Sequence, residues 1–142
     1  MYSLLVFIIV SLSACSRAEP ELPKALEVET ILLCDGAVQS IIAGESRQEH
    51  LSITLTKVDN KVIKAKILDA TYTLKKIDTR TPQDKEPIYR QLVIEPERII
   101  LRTEVPDVNN VGETVIENSG RYKADRWLGW SEGTCKATAK VF

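Results

Sequence analysis

Leu51-Ser52-Ile53-Thr54-Leu55-Thr56-Lys57-Val58-Asp59-Asn60-Lys61-Val62-Ile63-Lys64-Ala65-Lys66-Ile67 alternates in period two on both sides of an Asp-Asn pair. Side chains of an extended strand point to opposite faces in turn, so Leu51, Ile53 and Leu55 share one face while Ser52, Thr54 and Thr56 share the other. Ile63, Ala65 and Ile67 again share a face, with Lys64 and Lys66 opposed to them. Asp and Asn tolerate the left-handed backbone that a two-residue hairpin turn demands, so the segment predicts an antiparallel hairpin with one buried face.

The same alternation extends outward. Thr71 to Ile77 is rich in β-branched and aromatic residues and continues the hairpin into a meander. Thr81-Pro82-Gln83-Asp84-Lys85-Glu86-Pro87 holds two prolines and no large apolar residue, which makes it a loop. Ile88 to Ile94 and Ile99 to Val105 read as strands around a turn near Pro96-Glu97. Asp107 to Gly112 is a further loop, and Glu113 to Glu117 is a short strand or a helical turn. Arg121 to Leu128 and Thr134 to Phe142 form a closing hairpin, and a first strand starts at Val28. With no internal repeat and no long amphipathic helix, the expectation is an all-β fold: one antiparallel barrel or sandwich of about eight strands.

The chain begins differently. Leu4-Leu5-Val6-Phe7-Ile8-Ile9-Val10 is an unbroken apolar run, far shorter than the ~20 residues that span a bilayer, so it reads as the core of a signal peptide. No Lys or Arg precedes it, so the leading positive charge is the terminal amine unless translation starts upstream. The run leads into Leu12-Ser13-Ala14-Cys15, which resembles the lipobox of bacterial lipoproteins: an aliphatic residue, two small residues and the cysteine that receives diacylglycerol. The resemblance implies a signal peptide over 1–14, lipid on Cys15, and tethering to an envelope membrane. Ser16 after the cysteine implies the outer membrane, facing the periplasm. Residues 15–27 then form the acylated cysteine and a polar stalk, and 28–142 the β domain.

Cleavage leaves about 128 residues, the size of one domain with one core. Apolar residues make up 44% of the chain and charged residues 27%, a globular balance. Lys plus Arg total 19 against 20 for Asp plus Glu, without long blocks of one sign, which argues against a nucleic-acid partner. With Cys15 assigned to lipid, Cys34 and Cys135 remain as an even pair, expected to form one disulfide in an oxidising compartment. Cys135 shares a strand face with Ala137, Ala139 and Val141, and Cys34 shares one with Val28, Thr30 and Leu32. The bond therefore staples the first strand to the last. Closing a loop of about 100 residues is worth ~4–5 kcal/mol in the chain-entropy picture.

Catalytic chemistry is sparse. His50 is the sole imidazole and lies in the polar stretch Glu45-Ser46-Arg47-Gln48-Glu49-His50, where a solvated surface role is expected. No carboxylate pair stands out as an acid and a base, no glycine-rich phosphate loop is present, and the cysteine spacing matches no zinc motif. Neither an enzyme nor a cofactor or metal is expected. The distinctive segment is Ser119 to Trp130, where Ser119, Arg121, Tyr122, Lys123, Trp127 and Trp130 gather as candidate binding residues. Trp127 and Trp130 face opposite sides on a regular strand, unless Gly129 marks a bulge that brings them together. The competing reading puts one Trp in the core and the other over a barrel end.

Cys34-Asp35-Gly36, Ser119-Gly120-Arg121-Tyr122, the nearby tryptophans and Gly133-Thr134-Cys135 resemble the membrane-bound inhibitors of C-type lysozyme, small disulfide-linked β-barrel lipoproteins. The resemblance implies that Ser119, with Lys123 or Lys136, enters a hydrolase cleft. The Cys-x-Gly opening and Gly-x-Cys ending equally resemble uncharacterised proteobacterial envelope lipoproteins. The leading expectation is a non-enzymatic module that serves envelope maintenance or binds an envelope ligand, with an envelope protein or a hydrolase as the candidate partner, followed by an inhibitor of a lysozyme-like hydrolase and then by a hydrolase.

Overall fold

The computed structural model describes residues 26–41, 44, 46–126 and 128–139. The leader, Cys15, the stalk up to residue 25, Trp127 and the last three residues of the expected closing strand lie outside the described residues. The described chain is all-β and antiparallel. Its strands are β1 (Glu27–Ser40), β2 (Ser46–Val58), β3 (Lys61–Ile67), β4 (Ala70–Thr73), β5 (Ile77–Asp78), β6 (Tyr89–Ile94), β7 (Arg98–Val105), β8 (Asn110–Glu117), β9 (Arg121–Arg126) and β10 (Gly129–Ala139). A single 3-10 turn, Pro106–Val108, joins β7 to β8.

Ten strands replace the expected eight or so, for two physical reasons. Residues 71–77 do not stay in one strand: Thr73 turns the chain by donating its hydroxyl to the Lys75 carbonyl, and β5 crosses to pair with β6 on the opposite edge of the sheet. Glu113 to Glu117 is extended rather than helical and belongs to the longer β8. The hydrogen-bonded order is β4-β3-β2-β1-β10-β9-β8-β7-β6-β5, a meander whose first strand pairs with its last. The two outer edges curl toward each other into a nearly closed barrel. Across the seam the Tyr72 and Thr103 hydroxyls bond at 2.8 Å, and the Gln91 amide donates to the Leu74 carbonyl at 3.3 Å.

The quoted hairpin forms with one irregularity: the register of β2 to β3 shifts between Thr56 and Lys57, which leaves Ile63 without a partner, so Val62 rather than Ile63 packs on the core and Thr56 is buried. Asp59 and Asn60 both take positive φ, 49° and 63°, and the turn hands β2 to β3. Leu51, Ile53 and Leu55 face inward and meet Cys34, Ala65, Leu92, Leu101, Ile116 and Ala124 in one core. Cys34 and Cys135 sit directly opposite each other on β1 and β10 and are joined by a disulfide. Gly129 makes no bulge. It pairs regularly with Arg126 on one side and Ser40 on the other, and a Cβ there would strike the Gln39 carbonyl, so glycine serves close strand approach.

Candidate functional site

Strand direction divides the barrel into two ends. β1 starts at one end and runs to the other, where the turns after β1, β3, β7 and β9 and the long loop after β5 collect. At this second end the barrel interior turns polar. Glu49, two residues before Leu51, keeps the inward parity of β2, and Arg126, two residues after Ala124, keeps that of β9.

One row of the sheet sets the geometry. Glu49 pairs with Gly36, Gly36 with Gly133, and Gly133 with Tyr122. The two central glycines leave the inner wall bare, so the Tyr122 ring lies across them and its hydroxyl donates to Glu49 Oε2 at 3.1 Å. A Cβ on Gly36 would collide with that hydroxyl and with the Glu132 carbonyl. Arg126 donates from Nε and Nη2 to Glu49 Oε1 at 2.8 and 2.7 Å, while its Nη1 holds the Asp125 carbonyl. Glu49 is only 13% exposed and Arg126 28%. Burial pushes the Glu49 carboxyl up, but Ser131, Arg126 and Tyr122 together outweigh it and hold the group below its ordinary value. The fully buried Ser131 hydroxyl lies near enough to favour the carboxylate, yet off hydrogen-bond geometry to it. Burial, then the charge of Glu49 and the bond to it, raise Tyr122 to about 12. Near neutral pH the cluster therefore holds a carboxylate, a guanidinium and a protonated phenol.

Beside this cluster the barrel wall is notched. A cavity of about 470 Å³ runs from the β3–β4 turn to the β5–β6 loop, bordered by Leu68, Tyr72, Thr79, Thr114, Arg90 and Arg126. A second hollow, lined by Val108, Val111, Asp125, Arg126 and Leu128, opens where β8 and β9 part. The two meet at Arg126.

The residues singled out from sequence do not form one patch. Ser119 lies in the β8–β9 turn at the far end, donating to Glu117 and accepting from the Arg121 amide. Tyr122 is buried inside the barrel. Arg121 and Lys123 are exposed on the outer face, with the Lys123 ammonium 5.8 Å from the Trp130 ring centre. Trp130 is half-buried on that face and donates to Glu132 at 3.3 Å, and Lys136 is exposed. His50 points outward, 75% exposed, against Asp35. Glu49, Arg90 and Arg126 were not singled out from sequence, although period-two counting from Leu51, Leu92 and Ala124 places each of them inward. No family model, no curated protein and no solved structure matches the chain, so what its site can do rests on its own geometry.

Proposed function

We propose that this chain is a lipid-anchored binding module of the bacterial cell envelope, held by Cys15 and presenting the polar end of its barrel away from the membrane. The observation that carries the reading is the Cys34–Cys135 disulfide. It is the kind of bond an oxidising compartment sustains, and it leaves Cys15 as the one remaining cysteine of three. Topology adds support. Glu27 opens β1 at the end of the barrel opposite Arg126, so a tether entering there directs the notched end outward. Binding rather than turnover fits a mouth whose acid is ion-paired and whose phenol stays protonated.

Growth of the full-length chain with labelled palmitate, followed by membrane fractionation, tests the anchor. Label on the membrane-bound wild type and its loss in Cys15→Ser are expected. Label that survives Cys15→Ser, or none in the wild type, removes the anchor from the reading.

A further inference from the structure

Three anomalies lie at this end of the barrel, two in the notch and one in the hollow beside it. The first is Arg90, a half-buried cation on β6. Its Nη1 donates to the Thr79 hydroxyl at 2.5 Å, but its Nε is buried without an acceptor, and among the described residues it has no ion pair. Asp84 acts on Arg90 through space, but an N–H taken out of water with no acceptor is unusual, because leaving water costs it a bond that nothing in the barrel replaces. Arg126 in the same cavity shows the ordinary solution, a carboxylate gripped from Nε and Nη2. Asp84 is the carboxylate on the Arg90 side, but the Thr81 amide and hydroxyl hold it at 2.8 and 3.0 Å.

The second anomaly is Leu68 at the lip, 82% exposed with φ at 52°. Its side chain suits neither water nor a left-handed backbone, and a Gly or Asn there would remove both costs. The third is Leu128, which repeats the pattern in the β9–β10 turn beside Arg126, with φ at 58° and 48% exposure. Apolar residues held in strained turns around a mouth with an unanswered guanidinium N–H point to a ligand with both an anionic and an apolar part.

We propose that the notch binds a small monocarboxylate with a short apolar body, its carboxylate on Arg90 and its body against Leu68 and Ile67. Asp69 and Asp84 also border the cavity and oppose added negative charge, so a monoanion enters on the strength of its bonds to Arg90 while a dianion such as phosphate is repelled more strongly. This deepens the binding part of the function proposed above and does not depend on the anchor.

The test is an NMR titration of the purified protein, following the Arg90 Nε–H and the amides of Thr79, Thr81 and Leu68. Hexanoate, acetate and inorganic phosphate are the probes, with sodium chloride at matched ionic strength as the reference. Hexanoate should saturate at a concentration about tenfold below acetate, since two buried methylenes account for that ratio. Phosphate should show no saturable shift beyond that of chloride. Arg90→Gln should abolish saturation, and Arg90→Lys, which keeps the charge but not the planar fork, should raise the saturating concentration above that of the wild type. Leu68→Ser, at an exposed position that leaves the core untouched, should bring hexanoate down to acetate, and it serves as the test where Arg90→Gln fails to fold. Absence of saturation by hexanoate, an unchanged titration in Arg90→Gln or Leu68→Ser, or tighter binding of phosphate each overturns the proposal. An acylated protein that ignores hexanoate disposes of the notch and keeps the anchor, whereas hexanoate binding by an unacylated protein does the reverse.

Discussion

Glu49 is the residue on which the polar end of the barrel depends. It accepts from Tyr122 and twice from Arg126, and each of these bonds reaches a charged group, the class worth roughly 1.5–3 kcal/mol when one partner is removed. Glu49→Gln is therefore expected to lower unfolding stability near pH 7 by about 2–3 kcal/mol in urea denaturation, since Arg126 keeps its charge and loses its counter-ion. The pH dependence has a definite sign. The folded-state pKa of Glu49 lies below its ordinary 4.5, so its contribution is complete above that value and lost as pH falls through the depressed folded pKa. Wild type should lose its advantage over Glu49→Gln on acidification below pH 4.5, and a gap that stays constant down to full protonation would refute the assignment. Gly36 sets a second test. Gly36→Ala forces a methyl into the Tyr122 hydroxyl and the Glu132 carbonyl, and a loss of about 1–3 kcal/mol is expected in the same assay. These interior charges escaped the reading of the sequence for a clear reason. A carboxylate two residues beyond the last apolar position looks like the end of a strand, and the partner that makes it an interior residue stands 77 positions away.

Among the elements, β2 is the least evenly supported. β3 pairs with it only from Ile53 to Val58, so Ser46 to Ser52 has β1 on one side and no ladder on the other among the described residues. The direction of its backbone groups follows from the disulfide pair. The Cα atoms of Cys34 and Cys135 are 3.9 Å apart, the short spacing of opposite residues without mutual ladder bonds, and the Cys135 amide goes to Gly120 instead. Cys34 must then bond with Leu51, which turns the amides of Gln48 and His50 outward and that of Thr54 toward β3. Proline is a sensitive probe of this difference, because it removes one N–H. Gln48→Pro should cost under about 1 kcal/mol, whereas Thr54→Pro should cost about 1–3 kcal/mol more, the penalty of a broken ladder bond whose acceptor is left unpaired. Equal thermal shifts for the two variants would contradict the free edge. The element scale also shows what was legible. The Asp59-Asn60 turn, the alternation of β2 and β3 away from their register shift and the inward cysteines all follow from local chemistry. The split of residues 71–77 does not, because period two is satisfied equally well on either edge of a sheet, and the choice belongs to the barrel seam.

For the molecule as a whole, the bond between β1 and β10 closes a loop with a sequence separation of 101. Replacing Cys34 and Cys135 by Ala should lower stability by about 3–5 kcal/mol, measured as a fall in denaturant midpoint with the fold retained in circular dichroism. A midpoint unchanged by the substitution would mean that the ladder between the outermost strands holds the barrel without covalent help. The expectation of a barrel or a sandwich resolves to a barrel because the first strand pairs with the last, a fact about chain ends that a local pattern does not contain.

That pairing also fixes an order of events during synthesis. A chain made from its amino terminus presents Cys34 long before residue 135 exists, and at about 5–20 residues per second the wait is on the order of 5–20 s. Throughout that interval β1 lacks one of its two neighbours and its thiol has no native partner. Cys15, should it still be a thiol, is the nearest competitor in the sequence. Acylation of Cys15 would remove that competitor before the correct partner arrives, so the lipid proposed for the tether would also act as a protecting group for the barrel's single cross-link.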